Sequence, residues 1–322
     1  MGVVYVYEQG SFVRKQGERL VIEKQGVVQA ELLLIDVEAI VIYGNSQLTT
    51  QASRVLMERG IDIYYLTQKG RLCGKTTGYF NRNIFLKMAQ YETYQQHRLE
   101  FATAFVRGKL CNQLSVIKRS KWGEKNERAA FETLIKETLN AVTLAKSVNV
   151  LYGLEGNTAK MYFRLMNQGI KDFDSVKRTK RPAHDPVNAL LNLGYTLLNN
   201  DILTLLETAG FETSLGFLHN LQYGRASLAC DIIEEFRAPV IDRLVVSLFN
   251  NKRLKGEDFQ NEVSGCCLKK EGFVAFIKAY EEQSQKFMKN IKEQVMKLKK
   301  AILEKGIYTT WSLEENTSFV MI

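Results

Sequence analysis

Residues 3–43 read VVYVYEQGSFVRKQGERLVIEKQGVVQAELLLIDVEAIVIY, a succession of short apolar stretches punctuated at Gln9-Gly10, Gln16-Gly17 and Gln25-Gly26. Val, Ile and Tyr suit a pleated, half-buried surface, and glycine supplies the positive φ that tight turns demand. The stretch therefore predicts short strands joined by hairpins. Outward from it, Leu48–Arg59 predicts a helix stopped by Gly60, and Ile61–Leu66 a further strand. From about residue 80 the spacing changes. Phe131, Leu134, Ile135, Leu139 and Val142 recur at offsets of three and four, which keeps one helical face apolar. The expected fold class is α+β: a small N-terminal β-sandwich-like domain over residues 1–78, then a larger α-helical bundle domain over 79–322.

Composition agrees with a folded two-domain chain. Of 322 residues, 45% are hydrophobic, 10% aromatic and 25% charged, which excludes disordered, collagenous and low-complexity classes. Forty-four bases against 35 acids give a formal charge of +9, nearly all of it beyond Lys75, and this excess favours a polyanionic partner. Five cysteines, at 73, 111, 230, 266 and 267, show no CxxC spacing, so neither a disulfide framework nor a zinc ribbon is supported. The N-terminal residues lack a basic leader followed by an apolar run, and no apolar stretch approaches the roughly 20 residues that cross a bilayer. A cytoplasmic, reducing compartment with no membrane attachment is the expectation.

Chemistry has few carriers. Only His97, His184 and His219 are available, and no GxSxG elbow, P-loop or GxGxxG is present, so bound metal is the economical route. Glu155 lies between Gly153 and Gly156 at what reads as the opening turn of a helix, where it either favours the helix dipole or serves as a ligand. His219 follows a glycine-containing loop and is open to the same two readings, a satisfied histidine or a ligand. Asp231, Glu234 and Glu235 fall at helical spacing on a helix whose Ile232, Ile233 and Phe236 pack closely. Its acids are either a solvated face or, at the core boundary, an oxygen-rich cluster. Such a cluster with one imidazole suits Mg2+ or Mn2+. Lys177, Arg178, Lys180 and Arg181 in VKRTKRP form a basic loop that can bind DNA phosphates without reading bases, or simply be solvated. Asp185 and Pro186, just beyond, predict a capped helix start. Lys118, Arg119 and Lys121 beside Trp122 offer either backbone contacts with stacking or a tryptophan that seals a helix junction.

The segments GLEGNTAKMYF, RPAHDPVNALLNLGYTLL, ETAGFETSLGFLHN and SLACDIIEEFRAPVIDRLV, in this order behind a small β domain, resemble the CRISPR-associated integrase of spacer acquisition. The resemblance implies homodimers formed through the N-terminal domain and catalysis in the C-terminal one. It implies Glu155, His219 and Glu234 as catalytic metal ligands for Mg2+ or Mn2+, with Asp231 in support and Glu235 solvated or structural. The implied activity is that of a DNA endonuclease and integrase. It inserts short foreign DNA fragments into a CRISPR array by attack of a 3′-hydroxyl on repeat phosphodiesters. The implied partners are double-stranded DNA fragments, CRISPR repeat DNA, a second copy of the chain and a small ferredoxin-like CRISPR adaptation protein. Two alternatives stand beside this: a structure-selective, metal-dependent nuclease acting on branched DNA, and a non-catalytic basic DNA-binding scaffold.

Overall fold

A computed structural model describes residues 2–68, 72–78, 84–171, 178, 182–262 and 265–314. The chain forms two compact units, Met1–Lys87 with Leu203–Phe211, and Met88–Ile202 with Glu212–Ile322.

In the first unit the chain order is β1 (Gly2–Val6), β2 (Ser11–Gln16), β3 (Arg19–Lys24), β4 (Val27–Leu33), β5 (Val37–Tyr43), β6 (Gln47–Leu48), α1 (Thr50–Glu58), β7 (Asp62–Leu66) and β8 (Leu72–Thr76). They make two four-stranded sheets, ordered β1-β5-β7-β8 and β4-β3-β2-β6. Strands β2, β3 and β4 are the antiparallel hairpins that the sequence predicts. At the β3–β4 turn Gln25 and Gly26 both take positive φ, 51° and 79°, the conformation that matches the twist of a tight hairpin. The other sheet departs from the hairpin expectation: β1 pairs with β5, and β5 with β7, in parallel. Parallel neighbours need a crossover, and here β2–β4 intervene between the first pair and α1 between the second.

Alternation along the strands sorts the side chains. Ile40 and Ile42 of β5 join Val13, Leu20, Ile63 and, from α1, Ala52 and Leu56 in one buried core. Ala39 and Val41 point to the opposite face with Tyr64 and Leu66. There the returning segment Leu203–Phe211 supplies Thr208 to the Tyr64 hydroxyl at 3.5 Å and Glu207 to Lys75 as an ion pair. The sequence placed this segment with the helical domain, because its leucines read equally well as either kind of core.

The second unit is built on α2 (Ile84–Ser120), α3 (Lys125–Thr143), α4 (Val148–Gln168), α5 (Pro186–Ala209), α6 (Ser227–Phe236), α7 (Arg243–Asn250) and α8 (Lys270–Leu303), with a small hairpin of β9 (Phe259–Glu262) and β10 (Gly265–Leu268) before α8. The first four residues of α2 and the last turns of α5 fall in the first unit. Asp185 caps α5 by accepting the Asn188 N–H at 2.8 Å, with Pro186 in the opening position, as the sequence predicts. Trp122 is buried at the α2–α3 junction, the sealing role rather than a stacking platform. Between α6 and α7 the backbone widens into a π-helical turn, Arg237–Asp242. Pro239 lies within it and has no N–H to give to an ordinary α-helical ladder. After α8, an extended segment reaches Trp311 and Leu313, both buried.

Candidate active site

Three helices of the second unit, α2, α4 and α6, bring one charged residue each to a common point. Lys109 of α2 forms ion pairs with Glu155 of α4 and, at 2.6 Å, with Glu234 of α6. Glu234 is 4% exposed, and its other oxygen meets Arg237 at 3.1 Å, one turn on along the chain. Burial alone would raise a carboxyl here. The adjacent Arg237 and Lys109 outweigh it and bring Glu234 down to about 2. Burial likewise pulls against the charge on Lys109, yet Glu234 and Glu155 hold its ammonium above the usual lysine range. The cations are therefore part of how two carboxylates stand together in a buried place.

Glu155 is not in the opening turn of its helix. Ser147 caps α4, accepting the Val150 N–H, so Glu155 lies two turns in, where the helix dipole does not account for it. Gly153 and Gly156 are interior helical residues, a placement that misled the sequence reading because glycine ordinarily marks helix ends. A Cβ at either would meet nothing within 4 Å, so the backbone beside Glu155 is open.

His219 sits in the loop between α5 and α6, and Asp231 organises that loop. Its Oδ2 accepts the N–H groups of Phe217 (2.5 Å) and Leu218 (3.1 Å), and its Oδ1 accepts the His219 N–H at 2.8 Å. The same Oδ1 lies 2.7 Å from His219 Nδ1. A carboxylate oxygen can only accept, so Nδ1 is the donor here, and in the neutral ring this leaves Nε2 as the nitrogen for a metal. Gly216 is required here: a Cβ would stand 2.8 Å from Asp231 Oδ2 and 2.7 Å from the Ser227 carbonyl carbon. Tyr152, on α4 three residues before Glu155, braces the loop through its hydroxyl to the Leu218 carbonyl at 2.7 Å. Arg98 of α2 adds bonds to Phe217 O (2.9 Å) and Asn220 Oδ1 (2.6 Å).

Two more acids of this region are buried behind the site. Glu235 accepts the Tyr308 hydroxyl at 2.6 Å and the Trp311 N–H at 2.7 Å, and burial pushes it up to about 8. It is structural, not solvated. Asp242 accepts the hydroxyls of Tyr162 (2.7 Å) and Tyr195 (2.5 Å), and burial raises it to about 6. Arg237 lies 4.6 Å over the Tyr195 ring, which joins this layer to Glu234.

Of the sequence-derived ligands, the structure unites Glu155 and Glu234 on one ammonium and keeps His219 on Asp231. Among the described residues no group of three His, Cys, Asp or Glu side chains stands ready to hold a metal ion. The donor set nonetheless fits a divalent cation. Two carboxylates already converge on a positive charge, and Asp231 holds His219 through Nδ1, so that a neutral ring has Nε2 to offer. Lys177, Lys180 and Arg181 lie outside the described residues. Arg178 is committed internally, donating to Asn188 Oδ1 and Asn192 Oδ1 at 2.8 Å each and lying 5.7 Å from the Tyr195 ring centroid. Sequence reasoning missed Lys109 and Arg98, which stand in no motif, and Tyr152, which adjoins the Glu155 segment without a signal of its own. Arg237, three residues from Glu234, carried a legible spacing signal.

The architecture is that of a known class. A Cas1 protein from Thermotoga maritima matches with a TM-score of 0.77 over 97% of this chain and all of its own, at 24% identity. A casposase bound to integration product matches with a TM-score of 0.75 over the whole chain and 96% of its own, at 23% identity. These likenesses are of fold. In sequence, the family pattern for CRISPR associated protein Cas1 matches residues 4–282. The CRISPR-associated endonuclease Cas1 3 of Thermus thermophilus is 35% identical over 87% of this chain and 84% of its own length. The CRISPR-associated endonuclease Cas1 2 of Rhodospirillum rubrum is 33% identical over 83% and 81%. The chain belongs to the Cas1 family, whose curated members similar to it are named endonucleases. Among the described residues no helix is long and apolar enough to cross a membrane.

Proposed function

We propose that this chain is a metal-dependent DNA integrase that inserts short DNA fragments into a CRISPR array. The observation that carries the reading is the convergence of Glu155 and Glu234, from two helices, on one positive charge, with an imidazole fixed by Asp231 in the loop before the Glu234 helix. Glu155, Glu234 and His219 would hold Mg2+ or Mn2+. When bound, such an ion neutralises charge developing on a phosphate and lowers the cost of a departing oxygen. Asp231 keeps the Nδ1 proton of His219 in place, Arg237 keeps Glu234 anionic, and Tyr152 and Arg98 hold the loop that carries the imidazole. The open backbone at Gly153 and Gly156 leaves room for a sugar-phosphate chain next to Glu155.

In the reaction, the 3′-hydroxyl oxygen of the fragment bonds to a repeat phosphorus while the repeat's own 3′ oxygen leaves, taking up a proton as the attacking hydroxyl loses one. One phosphodiester replaces another, so no nucleotide is consumed, in keeping with the absence of a P-loop. Residues 1–78 form the dimerisation domain in this reading and 79–322 the catalytic one. Lys177, Lys180 and Arg181 of VKRTKRP take the DNA backbone in this reading, while Arg178 is held by Asn188 and Asn192. Similar folds described as Cas6-RT-Cas1–Cas2 complexes support a further CRISPR protein as partner, which this reading takes to be small and ferredoxin-like.

A second reading has water replace the 3′-hydroxyl, which gives the endonuclease activity in the names of the curated relatives. A supercoiled plasmid bearing the repeat, incubated with a 3′-hydroxyl fragment and Mn2+, separates them. Joined product supports integration, and nicking alone supports the nuclease. Neither product at any metal concentration leaves the basic scaffold.

A further inference from the structure

No motif announces Lys109, and its surroundings are unusual for a lysine. Its side chain is 12% exposed, and its ammonium lies between Glu155, at 21%, and Glu234, at 4%. The two cations on Glu234 differ in how they are fixed. Arg237 follows it on the same stretch of backbone and rests over the Tyr195 ring, so its place is set by the helix. Lys109 comes from another helix on a flexible four-carbon stem, and carboxylates are what hold its end.

We propose that Lys109 is the resident cation of this centre: its ammonium clamps Glu155 to Glu234 before a divalent ion arrives, and the ion must displace it to bind. The inference rests on the metal-site reading above. Both cations need the same carboxylate oxygens, and a dication beside an undisplaced ammonium meets strong repulsion at contact distance in a buried place. Without the clamp, Glu155 and Glu234 would repel each other in the metal-free protein. With it, they are kept together and the ion's apparent affinity is lowered, because binding must first break two ion pairs. Lys109 is thus a positioning residue that tunes metal affinity.

The test uses the full chain, with Mn2+ as probe. Lys109→Met keeps the length of the side chain and removes its charge. Calorimetric titration should show Mn2+ binding Lys109→Met about tenfold more tightly than wild type, and adding Glu234→Ala should abolish that binding. In EDTA, Lys109→Met should unfold at a lower temperature than wild type, and Mn2+ should raise its midpoint by the larger increment. A measurement on wild type alone guards against a variant that fails to fold. Acetic anhydride labelling, read by mass spectrometry at matched ionic strength, should spare Lys109 in EDTA and acetylate it several-fold faster with Mn2+ bound. Mn2+ binding to wild type with unchanged Lys109 labelling, or with no tightening in Lys109→Met, overturns the proposal and leaves the metal reading standing. Failure of both proteins to bind Mn2+ overturns both.

Discussion

Glu234 and Glu235 are consecutive, share one helix and are both buried, yet their surroundings drive them in opposite directions. Glu234 faces Arg237 and Lys109 and lies near 2, whereas Glu235 faces the Tyr308 hydroxyl and the Trp311 N–H and lies near 8. Burial alone would raise both, so partner charge decides the outcome. The difference separates two kinds of acid in the helical unit. One kind is kept anionic and aimed at a cation, while the other, which includes Asp242 between two tyrosines, serves as a hydrogen-bonded fastener. Adjacent positions on a helix point about 100° apart, which is how one turn of α6 serves both purposes.

The sharpest way to break this contrast is to delete the anionic set. Glu155→Ala, His219→Ala and Glu234→Ala should each cut strand joining by about a thousandfold or more in the plasmid assay, with near-native circular dichroism. Three variants that join normally would show that the site lies elsewhere. Asp231→Asn should be milder, roughly 10–100-fold weaker in Mn2+ affinity by titration, because the loop loses its carboxylate and the His219 tautomer its partner. On the fastener side, Glu235→Ala should lower unfolding free energy in urea by about 2 kcal/mol, since the Tyr308 hydroxyl and Trp311 N–H lose their acceptor. Glu235→Gln should recover part of that loss.

Asp242 gives the pH arm of the comparison. Its carboxyl is raised from 3.8 to about 6, so the folded chain binds the proton more tightly than the unfolded one. Its contribution to stability is full below about pH 4 and is lost as the pH rises through 6. Asp242→Asn should flatten the fall in melting temperature across that window, and an unchanged slope would remove Asp242 as its source. The smallest effect belongs to the basic loop. Lys180→Ala with Arg181→Ala should reduce the salt slope of DNA binding by about two units in log–log form while joining survives at low salt. A slope equal to that of wild type would take the loop off the DNA-contacting surface.

Much of this was legible in the chain itself. Alternation and QG turns announced the β hairpins, and the three-four spacing announced the helices. Resemblance pointed to Glu155, His219 and Glu234, of which Glu155 and Glu234 meet on Lys109 and His219 is held by Asp231. The parallel pairing of β1, β5 and β7 was not legible, because strand composition is silent on direction. Nor was the depth of Glu155 in α4, where two interior glycines imitated a helix boundary. Lys109 was beyond reach for a different reason. Its meaning depends on carboxylates 46 positions away and further, and a lysine on a long helix carries no local sign of them.

The segment after α8 closes over the back of α6 through contacts that are distant in the chain: Glu235 meets Trp311 across 76 positions, and Asn112 binds both the Glu235 and Trp311 carbonyls at 2.9 Å. During synthesis the helix bearing Glu234 therefore leaves the ribosome well before the segment that fastens it. Until Trp311 arrives, Glu235 lacks the N–H it accepts and Asn112 one of its two carbonyls, so the back of this helix is completed last.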